Sequence, residues 1–123
     1  MTLLQVYSAN LPITSDLYEN LFNILETINQ CKLDADPSEN VVVCFAECSL
    51  TGYDVAGVES ALANDKLVPL ALNIIAASCR QLSIAIVVGT AMRAKDEVVE
   101  NVAVAINQRG EFVNVQSKMQ VRR

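Results

Sequence analysis

The 123-residue chain contains no histidine. This absence excludes Ser-His-Asp triads and Cys-His dyads, in which an imidazole takes the proton of the nucleophile. It also excludes every histidine-ligated metal site within this chain. Proton transfer at any site here must therefore rest on other side chains.

Glycine is scarce as well, since only four are present, and they are widely spaced at positions 52, 57, 89 and 110. A G-x-G-x-x-G fingerprint or a P-loop needs glycines much closer together. Nucleotide-phosphate cradles of these kinds are excluded, which disfavours a small flavodoxin-like binding domain. A tightly bound nucleotide or flavin in purified material would revive that alternative.

Targeting and redox signals are also missing. The four cysteines, at positions 31, 44, 48 and 79, form no C-x-x-C pair, so neither a zinc ribbon nor a thioredoxin-like motif is indicated. The N-terminus lacks a basic start and a long apolar run, as a signal peptide would require. The longest apolar stretch, residues 67–77, is interrupted by Pro69 and Asn73 and is too short to span a bilayer. We expect a cytoplasmic, reduced protein without membrane association.

The balance of charge is acidic, with 14 Asp and Glu against 9 Lys and Arg and a net charge of −5. Nucleic acids and anionic membranes need clustered basic residues, and here these are scattered apart from Arg122 and Arg123, so no nucleic-acid partner is expected. Hydrophobic residues make up 52% of the chain and charged residues 19%, which excludes a disordered protein. The length fits one small domain or part of a larger one.

The first half of the chain predicts strand, helix and strand. Residues 3–7 form a short apolar strand, and Asp16 with Glu19 has the spacing of a helix capping box. An apolar stripe at helical spacing follows it, formed by Leu17, Leu21, Ile24, Ile28 and Cys31. The continuous apolar run of residues 41–46 is typical of a strand that is covered on both faces. Residues 50–54 then leave this strand as a loop.

The second half predicts one helix and three strands. The helix follows Pro69, which fits the first helical position, and its buried stripe consists of Leu72, Ile75, Cys79 and Leu82. Residues 84–88 form a buried strand that Gly89 ends. Residues 102–106 and 112–116 form a hairpin around a turn at Gly110. The fold class is therefore α/β with a mixed sheet.

Glu47 is the first candidate for chemistry, because it directly follows the most apolar strand. Ligands of α/β sheets bind outside the carboxyl ends of the strands, and partial burial there would suit a carboxylate to general-base work. A solvated or Arg-paired glutamate at a strand end also fits, and pattern alone favours that simpler interpretation.

Lys118 is the second candidate, at the far end of the last strand. An ammonium beside a reacting carbonyl stabilises developing negative charge, although most lysines are simply exposed. Among the cysteines, Cys31, Cys44 and Cys79 are expected to be core. Cys48 adjoins Glu47, but adjacent strand residues point to opposite faces, so Glu47 is not expected to activate it.

Three segments together resemble the carbon–nitrogen hydrolase family, also called the nitrilase superfamily. Residues 41–53, VVVCFAECSLTGY, resemble its first signature, in which a strand ends in Phe-Pro-Glu before Leu-Thr-Gly-Tyr. Residues 84–93, ending VVGTAMR, resemble the next buried strand. Residues 101–118, NVAVAINQRGEFVNVQSK, resemble the following hairpin, with an Asn start, a Gly turn and a terminal Lys.

The resemblance implies an α-β-β-α sandwich, of which residues 1–123 would be a partial, N-terminal half. It implies a Glu-Lys-Cys catalytic set that acts on amides, nitriles or ureido groups through a thioester, without a metal or organic cofactor. Glu47 matches the general base, and Lys118 matches the residue that holds the tetrahedral intermediate.

The chain departs from the family pattern at three points. Ala46 replaces the usual proline, and Lys118 lacks its usual neighbours. The nucleophilic cysteine of the family comes later than any cysteine here, so we expect this chain alone to be inactive. An incomplete sandwich would expose strand edges and one sheet face, so we expect a homo-oligomer or association with a homologue. The alternative function is a non-catalytic interaction subunit that pairs with a full-length homologue.

Overall fold

The computed structural model describes residues 4–94 and 96–117. Its elements follow in the order β1 (Leu4–Ser8), α1 (Leu17–Asp34), β2 (Asn40–Cys44), α2 (Val55–Leu62), α3 (Leu67–Leu82), β3 (Ile84–Arg93), β4 (Val99–Ile106) and β5 (Phe112–Ser117). The five strands form one sheet in sequence order, β1-β2-β3-β4-β5. The first two neighbouring pairs are parallel and the last two are antiparallel, which confirms the α/β class and the mixed sheet.

The strand order explains why the helices share one face of the sheet. The crossovers from β1 to β2 and from β2 to β3 both step to the neighbouring strand in the same direction. Since such crossovers are right-handed, α1 and the α2–α3 segment lie on the same side. The core between α1, α3 and the sheet includes fully buried residues from every layer: Ile24, Ile28, Ile75, Val43, Ile86 and Val104.

The opposite face of the sheet, which we call the open face, carries no helix within the described residues. Along β2, Val41 and Val43 are buried under the helices, whereas Val42 and Cys44 are half-buried on the open face. The prediction that this strand is covered on both faces is therefore wrong for the part of the chain that the structure describes. Cys44, expected in the core, lies on the open face instead.

Local sequence signals place most element ends, with informative exceptions. The Asp16 side chain caps α1 by accepting from the Tyr18 N–H, but the Asp16 N–H donates to Thr14 Oγ1. That bond takes the place of the predicted reciprocal bond with Glu19. Pro69 is the third helical residue of α3, where the proline still costs no backbone bond because first-turn N–H groups have no helical partner. Helix α2 was not predicted.

A buried amide joins α1 to the loop that follows β2. Asn20 Nδ2 donates to the carbonyl oxygens of Thr14 (2.8 Å) and Leu50 (3.0 Å), and Asn20 Oδ1 accepts from the Thr14 N–H at 2.9 Å. Asn20 is only 2% exposed, so these bonds replace water. They fix the loop that carries Glu47 against the start of the first helix.

Removing this amide should destabilise the domain. Asn20→Ala leaves the Leu50 carbonyl and the Thr14 N–H without a partner in a buried place, which costs about 1–3 kcal/mol. Asn29→Ala is the matched control, because Asn29 lies exposed on the same helix and bonds only within it, to the Leu25 carbonyl. Urea unfolding curves measure both, and equal midpoints for the two variants would contradict this role of Asn20.

Candidate active site

Glu47 lies in a tight turn directly after β2. Just past the end of β2, the Phe45 N–H still donates to the Val87 carbonyl of β3 (2.9 Å). The Ser49 N–H then donates to the Ala46 carbonyl (3.2 Å), and this bond closes the turn. Cys48 adopts a left-handed backbone with φ of 56°. Strand β2 therefore ends at Cys44 rather than at residue 46, and the Glu47 side chain is exposed on the turn.

The loop that follows β2 replaces this strand as the neighbour of residues 88–93 of β3, which we call the outer half of β3. Beyond Val87 no β2 residue pairs with β3. Instead the Leu50 N–H donates to the Gly89 carbonyl (3.0 Å), the Gly89 N–H reaches Ser49 Oγ (3.3 Å), and the Ala91 N–H donates to Thr51 Oγ1 at 2.8 Å. The Ser49 and Thr51 hydroxyls thus accept the backbone hydrogen bonds that a neighbouring strand would otherwise accept, because buried backbone groups need partners.

Gly89 is the point where the Glu47 turn crosses β3. A Cβ atom at this position would lie 2.6 Å from the Cys48 nitrogen, 2.7 Å from the Ala46 oxygen and 2.9 Å from Glu47 Cα. These are backbone atoms that cannot move aside cheaply. The predicted strand end at Gly89 is wrong, since β3 continues to Arg93. The glycine permits close approach of a second backbone there.

Asn101 on β4 brings Glu47 and Cys48 together. Its Nδ2 donates to Glu47 Oε1, and its Oδ1 lies 3.4 Å from Cys48 Sγ, within reach of the thiol hydrogen. The expectation that Glu47 and Cys48 point apart is wrong, because strand alternation does not extend into the turn. The sequence marked Asn101 only as the start of the hairpin segment. A β4 amide opposite the end of β2 is recognisable only once the register is known.

A depression of about 420 Å³ lies beside Glu47 on the open face. Its floor is formed by small and apolar side chains of the central strands, with polar groups at its edge: Phe45, Val87, Gly89, Ala103, Glu47, Asn101, Gln116 and Ser117. An apolar hollow with a few polar groups at one side is the usual form of a small-molecule site.

Lys118 lies outside the described residues, and its predicted role stays a prediction. The strand that precedes it, β5, ends at Ser117, which lines the depression and donates from its hydroxyl to Glu100 Oε2 (2.6 Å). The described part of β5 is exposed along its whole length.

The cysteines differ in surroundings. Burial raises the pKa of the Cys79 thiol to about 11, and it raises the pKa of Cys31 as well. Both lie in the helix–sheet core, as expected, and at neutral pH they are protonated and poor nucleophiles. Cys48 is buried under the turn, and Cys44 is half-buried on the open face.

Within residues 4–94 and 96–117, no group of three or more Cys, Asp or Glu side chains is arranged to hold a metal ion. No helix in this part of the chain has the length and apolar character needed to cross a membrane.

The carbon–nitrogen hydrolase family model matches residues 5–122. No curated protein sequence matches the chain.

Solved structures share the fold at low sequence identity. An amidase from Nesterenkonia sp. superposes with a TM-score of 0.73 at 18% identity over 97% of this chain and 42% of its own. A variant of the Nesterenkonia sp. AN1 amidase, with acrylamide added at its active site cysteine, gives 0.73 at 17% identity over 97% and 44%. A carbon–nitrogen hydrolase from Helicobacter pylori G27 gives 0.78 at 11% identity over 97% and 40%. The chain thus spans less than half the length of these neighbours.

The fit between Gly89 and the turn can be tested with one methyl group. Gly89→Ala should push the Ala46–Cys48 backbone away from β3 and lower the free energy of unfolding by about 1–3 kcal/mol, as overpacking does. Ala85→Val is the control, because residue 85 lies on the same face of β3 and is only half-buried. Amide NMR shifts should change throughout residues 46–51 in Gly89→Ala alone. Unchanged shifts in that loop would contradict the close approach.

Proposed function

Because the chain belongs to the carbon–nitrogen hydrolase family, we propose that it carries the general base of a hydrolase that acts on small amide, nitrile or ureido substrates. The observation that supports this most is the position of Glu47, which lies at the carboxyl end of β2 and at the edge of the open-face depression. A substrate that rests on the apolar floor would present its carbon–nitrogen bond beside this carboxylate.

In this proposal Glu47 takes the proton of a cysteine thiol, and the thiolate attacks the carbonyl, nitrile or ureido carbon. Lys118 stabilises the negative charge of the tetrahedral intermediate. From an amide or ureido group, the nitrogen leaves with the proton that Glu47 took, and a thioester remains. A nitrile first gives a thioimidate, which adds one water before ammonia leaves and the thioester remains. Water then hydrolyses the thioester to regenerate the thiol. No step requires a metal ion or an organic cofactor.

The nucleophile is proposed to come from outside residues 1–123. Cys31 and Cys79 lie in the core with raised pKa values, on the far side of the sheet from the depression. The Cys48 thiol contacts the amide oxygen of Asn101. Cys44 is half-buried on the open face, so it is the strongest alternative candidate for a nucleophile within the chain.

Activity of the 123-residue chain tests this proposal. The purified chain should release no ammonia from aliphatic amides, nitriles or carbamoyl amines above the rate of a Glu47→Gln variant. Steady hydrolysis by the wild-type chain that Glu47→Gln abolishes would contradict the absence of a nucleophile. The paired variant separates turnover by this chain from a contaminating amidase.

Acrylamide labelling tests, independently of turnover, whether any of the four cysteines is an activated nucleophile. Acrylamide adds to the active site cysteine of the Nesterenkonia amidase variant. At pH 8, none of the four cysteines here should react faster than a cysteine in an unfolded peptide. Cys79 should react slowest, since a pKa of about 11 leaves roughly one thiol in a thousand ionised at that pH. Mass spectrometry of digested protein measures each rate. Fast labelling of Cys44 that Glu47→Gln slows would contradict the proposal.

A second candidate is a non-catalytic subunit that pairs with a homologue, at a cytoplasmic location. It is supported by the exposed apolar side chains of the two outer strands, Leu4, Val6, Phe112, Val113 and Val115. Large exposed apolar patches on strand edges favour association with another chain. Co-purification with a larger homologue would support this function, and a monomer at high concentration would count against it.

A further inference from the structure

Among the hydrogen bonds of the described residues, Asn101 is the one side chain that contacts both Glu47 and Cys48. A carboxylate can only accept a hydrogen bond, so the amide nitrogen of Asn101 faces Glu47 Oε1. A thiol donates weakly, so the amide oxygen faces Cys48 Sγ, at 3.4 Å. The two neighbours therefore agree on one orientation of the amide. A flipped amide would place its oxygen against the carboxylate.

The two ends of this contact lie on different kinds of backbone. Asn101 lies within β4, opposite Ala91 of β3 and one residue from the Val102–Ser117 pair with β5, so its backbone is held by the sheet. Glu47 lies on a turn, and its side chain has one more rotatable bond than that of Asn101. Contact with a side chain on a strand restricts that freedom, and a site on a strand is more precise than a site on a loop.

We propose that Asn101 is a positioning residue that fixes the direction of the Glu47 carboxylate, and that Cys48 acts through Asn101 by orienting its amide. The inference rests on the proposed role of Glu47 as general base and deepens it. The left-handed backbone at Cys48 serves the same arrangement, because it accompanies the turn that brings the thiol to the amide oxygen. In this account Cys48 is an orienting hydrogen-bond donor.

The contact with Asn101 gives a role to Cys48, the buried residue with a left-handed backbone that follows Glu47. A non-glycine residue at positive φ costs conformational energy, of the order of 1 kcal/mol. Cys48 adopts such a conformation with its side chain buried against β4 rather than in solvent. In that conformation the thiol reaches the Asn101 amide, which in turn contacts the Glu47 carboxylate. Serine offers the same geometry with a stronger donor, and alanine offers none.

NMR of the 123-residue chain tests the positioning directly. Three-bond couplings in the Glu47 side chain should indicate one dominant rotamer in the wild type. They should become rotamer-averaged in Asn101→Ala and in Asn101→Asp, which lacks the donor and adds a like charge. Asn114→Ala is the matched control, because Asn114 lies on the open face of the neighbouring strand, opposite Ala105. Unchanged Glu47 couplings in both Asn101 variants would overturn the proposal.

The amide of Asn101 supplies a second readout that needs no Asn101 variant. Its side-chain NH₂ signals should move as Glu47 titrates, and this pH dependence should be lost in Glu47→Gln, while the Asn114 signals stay unchanged. Cys48→Ser should preserve the Glu47 rotamer, and Cys48→Ala should average it. Asn101 signals that do not respond to pH or to Glu47→Gln would overturn the contact even if an Asn101 variant failed to fold.

These measurements separate the two proposals, because none of them depends on turnover. A loss of rotamer order in the Asn101 variants would support positioning whether or not the chain hydrolyses amides. A freely averaged Glu47 side chain in the wild-type chain would overturn the positioning role alone and leave the proposed role of Glu47 as general base standing.

Discussion

The structure around the candidate site depends on one constraint, which is the need of the outer half of β3 for hydrogen-bond partners. Strand β3 runs to Arg93, but β2 stops pairing at Cys44 and Val87. The loop after β2 supplies the missing partners through the Leu50 backbone and the hydroxyls of Ser49 and Thr51. Because the loop must stay within bonding distance of β3, the Glu47 turn is pressed onto Gly89.

The position of the depression follows from chain topology. Both crossovers between parallel strands place their helices on the same side, so the helix face is filled by the core. The open face therefore exposes the small and apolar side chains of the central strands beside Glu47. A carboxylate at a strand end and an apolar floor beside it arise together from the order in which the strands join the sheet.

Periodicity and composition predicted the helices and strands that contribute most of the buried core. The stripe from Leu17 to Cys31 predicted α1, and the apolar runs predicted β2, β3 and the β4–β5 hairpin, because core burial imposes these patterns. Motif resemblance predicted the family, which the family model confirms. Helix α2 was missed because it is only eight residues long and contains Gly57, which lowers helix propensity.

The remaining errors concern contacts between segments far apart in the chain. Gly89 looks like a strand end in isolation, and only the approach of the Ala46–Cys48 backbone explains it. Asn101 lies 54 positions from Glu47, and only the sheet register brings them together. Cys44 looks like core from its apolar neighbours, yet the open face leaves it half-buried. Local sequence cannot carry such information.

Hydrogen exchange at the Ala91 amide tests the central constraint most directly. This N–H donates to the Thr51 hydroxyl, so in the wild type it should exchange about as slowly as the paired amides of β3. Thr51→Val keeps the shape and removes the acceptor, and it should accelerate exchange at Ala91 while leaving the Val87–Ala105 region of the sheet protected. An Ala91 amide that exchanges in the wild type at the rate of an unprotected peptide would contradict the account.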